Sequence, residues 1–201
     1  STLLYLILWC ITLLKEKKMK HNHDGSLTKS IDGTGRVASV TPEIAAKLLE
    51  YIKENYPNEK KILDVGAGQG FLQKIFEEDG TYEVWSVEGC SDVPFHADIG
   101  KRLNTDFSQQ LDESYKKAFD LVTSFECIEH IHAEDQKKFW ENIFYCADQA
   151  LVTIHVKNQE DHAHCFIRNP EWWYLFFEES SIDIDEFILR EPRDYGWDPV
   201  P

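Results

Sequence analysis

Glu126, Glu129 and His130 stand at positions i, i+3 and i+4 in the stretch "FECIEHI". On a helical turn that spacing brings two carboxylates and an imidazole to one face. Such a set can take a proton from a hydroxyl, or hold a divalent ion that lowers the hydroxyl's pKa. Three further histidines, His155, His162 and His164, follow in "IHVKNQEDHAHCF". His155 reads as a strand-end residue and His162 as an exposed one. The ordinary alternative for "FECIEHI" is a capped helix start with surface acids.

A second chemical signal precedes these residues. In "KILDVGAGQGF", Gly66, Gly68 and Gly70 alternate directly after a short apolar run. Glycines at that point allow tight turns and let a ligand touch main-chain atoms. A dinucleotide site would use G-x-G-x-x-G. Here the spacing is G-x-G-x-G, and Phe71 takes the place of the last glycine. Asp64, just before the loop, would repel a phosphate and suit an ammonium group. Both features count against a nicotinamide-dependent oxidoreductase.

The elements that must position these residues alternate along the chain. Thr41, Pro42 and Glu43 start a helix that carries Ile44, Leu48, Leu49 and Ile52 and stops at Tyr56-Pro57-Asn58. Strands are expected over 61–65, 83–87, 102–105, 119–125 and 150–156, with a last one over 186–189. Helices are expected over 70–78, 134–147 and from the Asn169 cap through Trp172, Trp173, Phe176 and Phe177. Apolar strands alternating with helices predict an α/β fold: a doubly wound, mostly parallel, Rossmann-like sheet with helices on both faces. In such a sheet ligands bind beyond the carboxyl ends of the strands. Both signals fall there.

"LDVGAGQG" resembles motif I of the class I S-adenosylmethionine-dependent methyltransferases, and the likeness extends over about residues 40–190. It implies S-adenosyl-L-methionine as cofactor, held by Asp64, Gly66, Ala67, Gly68 and Gly70. It further implies that Glu88, in "VWSVEG", binds the ribose hydroxyls, and that an acid after the third strand meets the adenine amino group. Asp106 is preferred for that role over Asp98, with Phe107 beside the ring. Phe125 would lie where the chain passes the methionine part. The Glu-x-x-Glu-His motif followed by a histidine shortly before an aromatic resembles two metal-binding groups: the ubiquinone-pathway O-methyltransferases and the small-RNA 3′-terminal 2′-O-methyltransferases. Carried over, Glu126, Glu129, His130 and His164 are the metal ligands, with Glu129, His130 and His164 catalytic. Mg, Mn, Fe or Zn would suit them. A third, less characterised group has a Gly-His element after the fifth strand, where this chain has Ala163-His164. The family's sheet ends in an antiparallel hairpin, for which "EPRDYGWDPVP" is short, so that hairpin is expected to be incomplete.

The 201 residues carry a net charge of −15. That argues against an extended nucleic-acid face and leaves a small-molecule hydroxyl, or one on a short nucleic-acid-derived acceptor. Five cysteines with no Cys-x-x-Cys pair read as reduced thiols in the cytoplasm. Residues 1–40 are read as an apolar stretch and a polar lead-in, and 41–201 as the methyltransferase domain. The run "LLYLILWCITLL" ahead of "KEKKMK" has neither the charge order of a signal peptide nor the length of a bilayer span. It is expected to be sequence upstream of a start at Met19, or else the tail of a membrane anchor. Oligomeric state is not legible. A cofactor-binding partner subunit without catalysis is the alternative to the enzyme.

Overall fold

A computed structural model describes residues 3–9, 40–90, 93–155, 166–180 and 182–190. Strand β1 (Leu3–Trp9) is followed by α1 (Pro42–Asn55), β2 (Lys61–Val65), α2 (Phe71–Asp79), β3 (Glu83–Val87) and β4 (Arg102–Leu103). Then come β5 (Leu121–Phe125), α3 (Gln136–Cys146), β6 (Gln149–His155), α4 (Pro170–Glu179) and β7 (Asp183–Arg190). The seven strands form one sheet in the order β4-β3-β2-β5-β6-β1-β7, and every described pairing is parallel.

Local chemistry sets the helices as expected. Thr41 accepts a hydrogen bond from Ile44 N, and Asn169 one from Trp172 N, each with proline at the first helical position. Helix α2 is bounded by Gly70 and Gly80, both left-handed. Two apolar layers clamp the sheet. Leu48, Ile52, Leu72, Phe76 and Tyr82 fill one side with α1 and α2. Phe139, Trp140, Ile143, Trp173 and Phe177 fill the other with α3 and α4. Each such buried side chain contributes about 1.5–3 kcal/mol.

The apolar run near the start takes part in the sheet. Leu3–Trp9 is a strand between β6 and β7, in register with β6 from Leu3↔Gln149 to Trp9↔His155. An uncharged apolar run is what a parallel strand covered on both faces requires. Among the described strands there is also no antiparallel hairpin: β7 runs parallel to β1, with a register shift between Leu4 and Tyr5. No described helix is long and apolar enough to cross a membrane.

The chain leaves β2 toward β3 and β4 on one side, and returns to β5 and β6 on the other. The reversal lies between β2 and β5, where Asp64 is opposite Thr123. This is the crevice where open parallel sheets hold ligands.

Candidate cofactor and catalytic site

The loop after β2 is held from two sides. Gly66 N and Ala67 N both donate to Val87 O, at 2.9 and 3.0 Å. Gly66 has φ +79°, and a Cβ there would fall inside the Cys127 side chain. That contact joins the glycine loop to the segment leaving β5. Gly70 has φ +75°, and a Cβ there would lie 2.6 Å from the Phe95 ring. Only glycine fits either place.

Glu88, at the end of β3, closes the cradle. Its Oε2 accepts from Gly68 N and its Oε1 from Cys90 N, both at 2.7 Å. The carboxylate is thus fixed in orientation, and each oxygen retains capacity for a further donor such as a hydroxyl. Asp64 is 3% exposed. Its Oδ1 accepts from the Thr123 hydroxyl at 3.0 Å. Burial pushes its pKa up to about 7 against that hydrogen bond, and the nearby Glu88 charge adds to the rise. A buried carboxyl held in this condition favours a cationic neighbour.

Asp106 is half-buried and Asp98 exposed. Asp106 Oδ1 accepts from Ser108 N and Oγ at 2.8 and 2.7 Å. Its Oδ2 takes no described donor. Asp98 caps the turn Ile99–Lys101 through Gly100 N. The rings of Phe107 and Phe125 lie in the two apolar layers, Phe107 with its centroid 5.9 Å from that of Phe139.

Beyond β5 the chain does something the spacing did not foretell. Glu126 is left-handed, with φ +51°, a strained state for a residue with a Cβ. Its N–H donates to Thr153 Oγ1 at 3.0 Å. Next comes a single 3₁₀ turn, Ile128–His130. Gln136 Nε2 donates to Ile128 O and Ile131 O, both at 2.9 Å, and Phe166 N to Glu129 O at 2.9 Å. Glu129 is fully buried, while His130 keeps partial exposure. Burial pushes the Glu126 carboxyl up to about 7, while hydrogen bonds with Thr153 and then Glu129 pull it down. The Cys127 thiol, desolvated and facing Glu88 and Glu129, is raised well above its ordinary range; it packs and does not ionise.

A turn of three residues aligns i with i+3 and carries i+4 away. Glu126, left-handed, stands outside that turn, so the α-helical face expected for Glu126, Glu129 and His130 does not form. Among the described residues no group of three or more histidine, cysteine, aspartate or glutamate side chains could hold a metal ion. His162, His164 and Cys165 lie outside the described residues, as does the His155 side chain. The expected convergence of Glu126, Glu129 and His130 on one ion is thus not seen. Thr123 and Thr153 were missed at the sequence level. Their signal was a polar residue inside an otherwise apolar strand. A cavity of about 310 Å³, lined by Asn58, Glu59, Lys117, Asp120 and Gln149 among others, opens at the opposite, amino ends of the strands.

The sequence has counterparts among known proteins. Residues 38–190 match the family model described as "Methyltransferase domain", and the chain belongs to that family. No curated protein matches it. Solved structures that resemble it include the plantazolicin methyltransferase BpumL with a pentazolic desmethylPZN analog and SAH (TM-score 0.49, 12% identity, 69% of this chain and 63% of that one). BpumL with SAH alone gives TM-score 0.46, 15% identity, and 70% and 65% coverage. A Rhodobacter sphaeroides protein assigned as a Zn-dependent alcohol dehydrogenase gives TM-score 0.43, 11% identity, and 69% and 56% coverage. The chain thus spans less than two thirds of the length of each.

Proposed function

We propose that this chain transfers a methyl group from S-adenosyl-L-methionine to a hydroxyl oxygen on a small molecule or a nucleic-acid-derived acceptor. One observation carries the reading: the bare main chain at Gly66–Gly70 is tied to the Glu88 carboxylate through Gly68 N, 2.7 Å away. That cradle fits a ligand offering ribose hydroxyls and a positive charge. Glu88 would hold the hydroxyls, and Asp64 would face the ammonium side. Gly66, Ala67, Gly68 and Gly70 would supply the main-chain wall. Asp106 would take the adenine amino group through Oδ2, with Phe107 and Phe125 backing the site from the core.

When bound, the cofactor supplies a methyl group already activated by its sulfonium. The protein's share is orientation, exclusion of water and a base. Glu126, at the end of β5 with its N–H held by Thr153, is assigned as the base that accepts the proton the acceptor hydroxyl loses. His130, next on the turn, is the second candidate base. The ligand set expected for a divalent ion includes His164, outside the described residues, so chelation is the test. Full methyl transfer in excess EDTA would leave the proton to the protein's own base. Loss on chelation, restored by Mg, Mn, Fe or Zn, would return the metal and His164 to the mechanism.

Calorimetry with S-adenosylhomocysteine and with NADH tests the cofactor. The first is expected to bind and the second not; the reverse would overturn the proposal. Radiolabelled methyl transfer into a panel of metabolites and short RNAs then tests catalysis. Binding with no transfer to any member would favour a non-catalytic partner subunit.

A further inference from the structure

The segment that follows the undescribed 156–165 stretch returns to the turn after β5. Phe166 N donates to Glu129 O at 2.9 Å, so residues 166–168 run beside Glu129. Two residues of extended chain reach about 7 Å, which keeps Arg168 within one small molecule's length of Glu129. The Arg168 guanidinium lies 4.2 Å from the Phe166 ring centroid and 5.6 Å from that of Trp172. Those two rings meet edge to face, with centroids 5.3 Å apart. The cation is seated in their corner.

Among the described residues Arg168 has no carboxylate partner. The chain has 36 acidic residues against 21 basic ones, yet every described ion pair is made by a lysine. Glu171, three residues on, forms no ion pair with it. One guanidinium donor, Nη1, bonds to Ile167 O at 2.8 Å; the others take no described acceptor. Stacking occupies the face of a guanidinium and leaves its in-plane fork of donors available. That fork matches a carboxylate or phosphate with two parallel hydrogen bonds. A stacked fork is also already ordered, so little freedom is lost when an anion docks.

We propose that Arg168 is the anion-binding determinant of the acceptor site, so that the methyl acceptor is a small hydroxy acid whose carboxylate or phosphate docks on the Arg168 fork. The proposal rests on the methyltransferase reading above. It also accounts for how an anionic acceptor could approach strand ends that carry Asp64, Glu88, Glu126 and Glu129: a local cation must receive it.

The test uses the full chain saturated with S-adenosylhomocysteine, whose own binding is first measured by calorimetry. Benzoate, its neutral isostere benzamide, and inorganic phosphate are titrated, with tryptophan fluorescence as readout because Trp172 borders the site. In the wild type, an anion is expected to bind about 10- to 100-fold more tightly than benzamide, as a charge-assisted pair of hydrogen bonds allows. Preference for benzoate marks a carboxylate site and preference for phosphate a phosphate site; either supports the proposal. R168Q is expected to abolish the preference and R168K to keep part of it. Both should bind S-adenosylhomocysteine as the wild type does, and R168K, which retains the aliphatic stem and charge, controls for folding. Equal binding of anion and amide, no binding of either, or an anion preference that survives R168Q would overturn it. Failure of the methyltransferase reading would instead appear in the calorimetry, as an absence of S-adenosylhomocysteine binding in the wild type.

Discussion

Replacing Asp64 with asparagine separates what the site needs from what the fold prefers. Asp64 is buried under the glycine loop, and its pKa is raised to about 7 by desolvation, against the Thr123 hydrogen bond and with the Glu88 charge. Its unfolded value is that of an ordinary carboxyl, 3.8. Between these values the native state binds more protons than the unfolded chain, so stability falls as pH rises through that window. The penalty is absent below about pH 4, where both states are protonated, and complete above about pH 7. Three pKa units correspond to roughly 4 kcal/mol. Asparagine is nearly isosteric, does not titrate, and can accept the Thr123 bond through its own oxygen. D64N should therefore be more stable than the wild type at pH 8, by up to ~4 kcal/mol, and lose that advantage by pH 4. At about 2–4 °C per kcal/mol for a chain of this size, differential scanning calorimetry should show Tm raised by up to roughly 8–16 °C at pH 8. The same variant should bind S-adenosylmethionine at least about ten-fold more weakly, because a neutral amide cannot face its positive charge. A Tm difference independent of pH, or a variant less stable at pH 8, would refute the burial argument. Undiminished cofactor affinity would refute the assigned role.

At Gly66 two penalties are combined, the left-handed φ of +79° and collision with Cys127. G66A should lose most cofactor binding by calorimetry and unfold earlier, while G66A/C127G should recover the collision share and retain only the ~1–2 kcal/mol cost of a Cβ in that conformation. At Glu88 both oxygens already accept main-chain N–H groups. E88Q must turn a donor toward one of them, and should cost ~1–3 kcal/mol in chemical denaturation together with loss of S-adenosylhomocysteine binding.

The helices and central strands were legible because each is marked by local chemistry. Thr41-Pro42 and Asn169-Pro170 announce helix starts, and Gly66-x-Gly68-x-Gly70 announces a turn that no Cβ would survive. Glu88 was singled out through the family resemblance, at the end of a short strand. Leu3–Trp9 was not, because an apolar run of that length is equally compatible with a buried strand and with part of a membrane segment. Only its partners, β6 and β7, decide. The end of β5 was illegible for a different reason. A Glu-x-x-Glu-His spacing encodes an α-helical face only if the turn has 3.6 residues. The turn type is fixed by groups far along the chain: Thr153 at the Glu126 amide, Gln136 at Ile128 O and Ile131 O, and Phe166 at Glu129 O.

That distant control bears on the chemistry. A non-glycine residue in the left-handed region costs of order 1–3 kcal/mol and persists only where its surroundings over-determine it. Here a threonine on a neighbouring strand, a glutamine on α3 and the main chain before α4 together hold Glu126 and Glu129. Carboxyls are worse off desolvated than exposed, so apolar packing alone would not bury them. Bonds drawn from β6, α3 and the 166 segment impose the arrangement; α3 also carries Trp140, and the 166 segment leads into α4 with Trp173. The same 166 segment presents Arg168. On the two proposals above, a change that loosens Phe166 would therefore move the Glu129 main chain and Arg168 together.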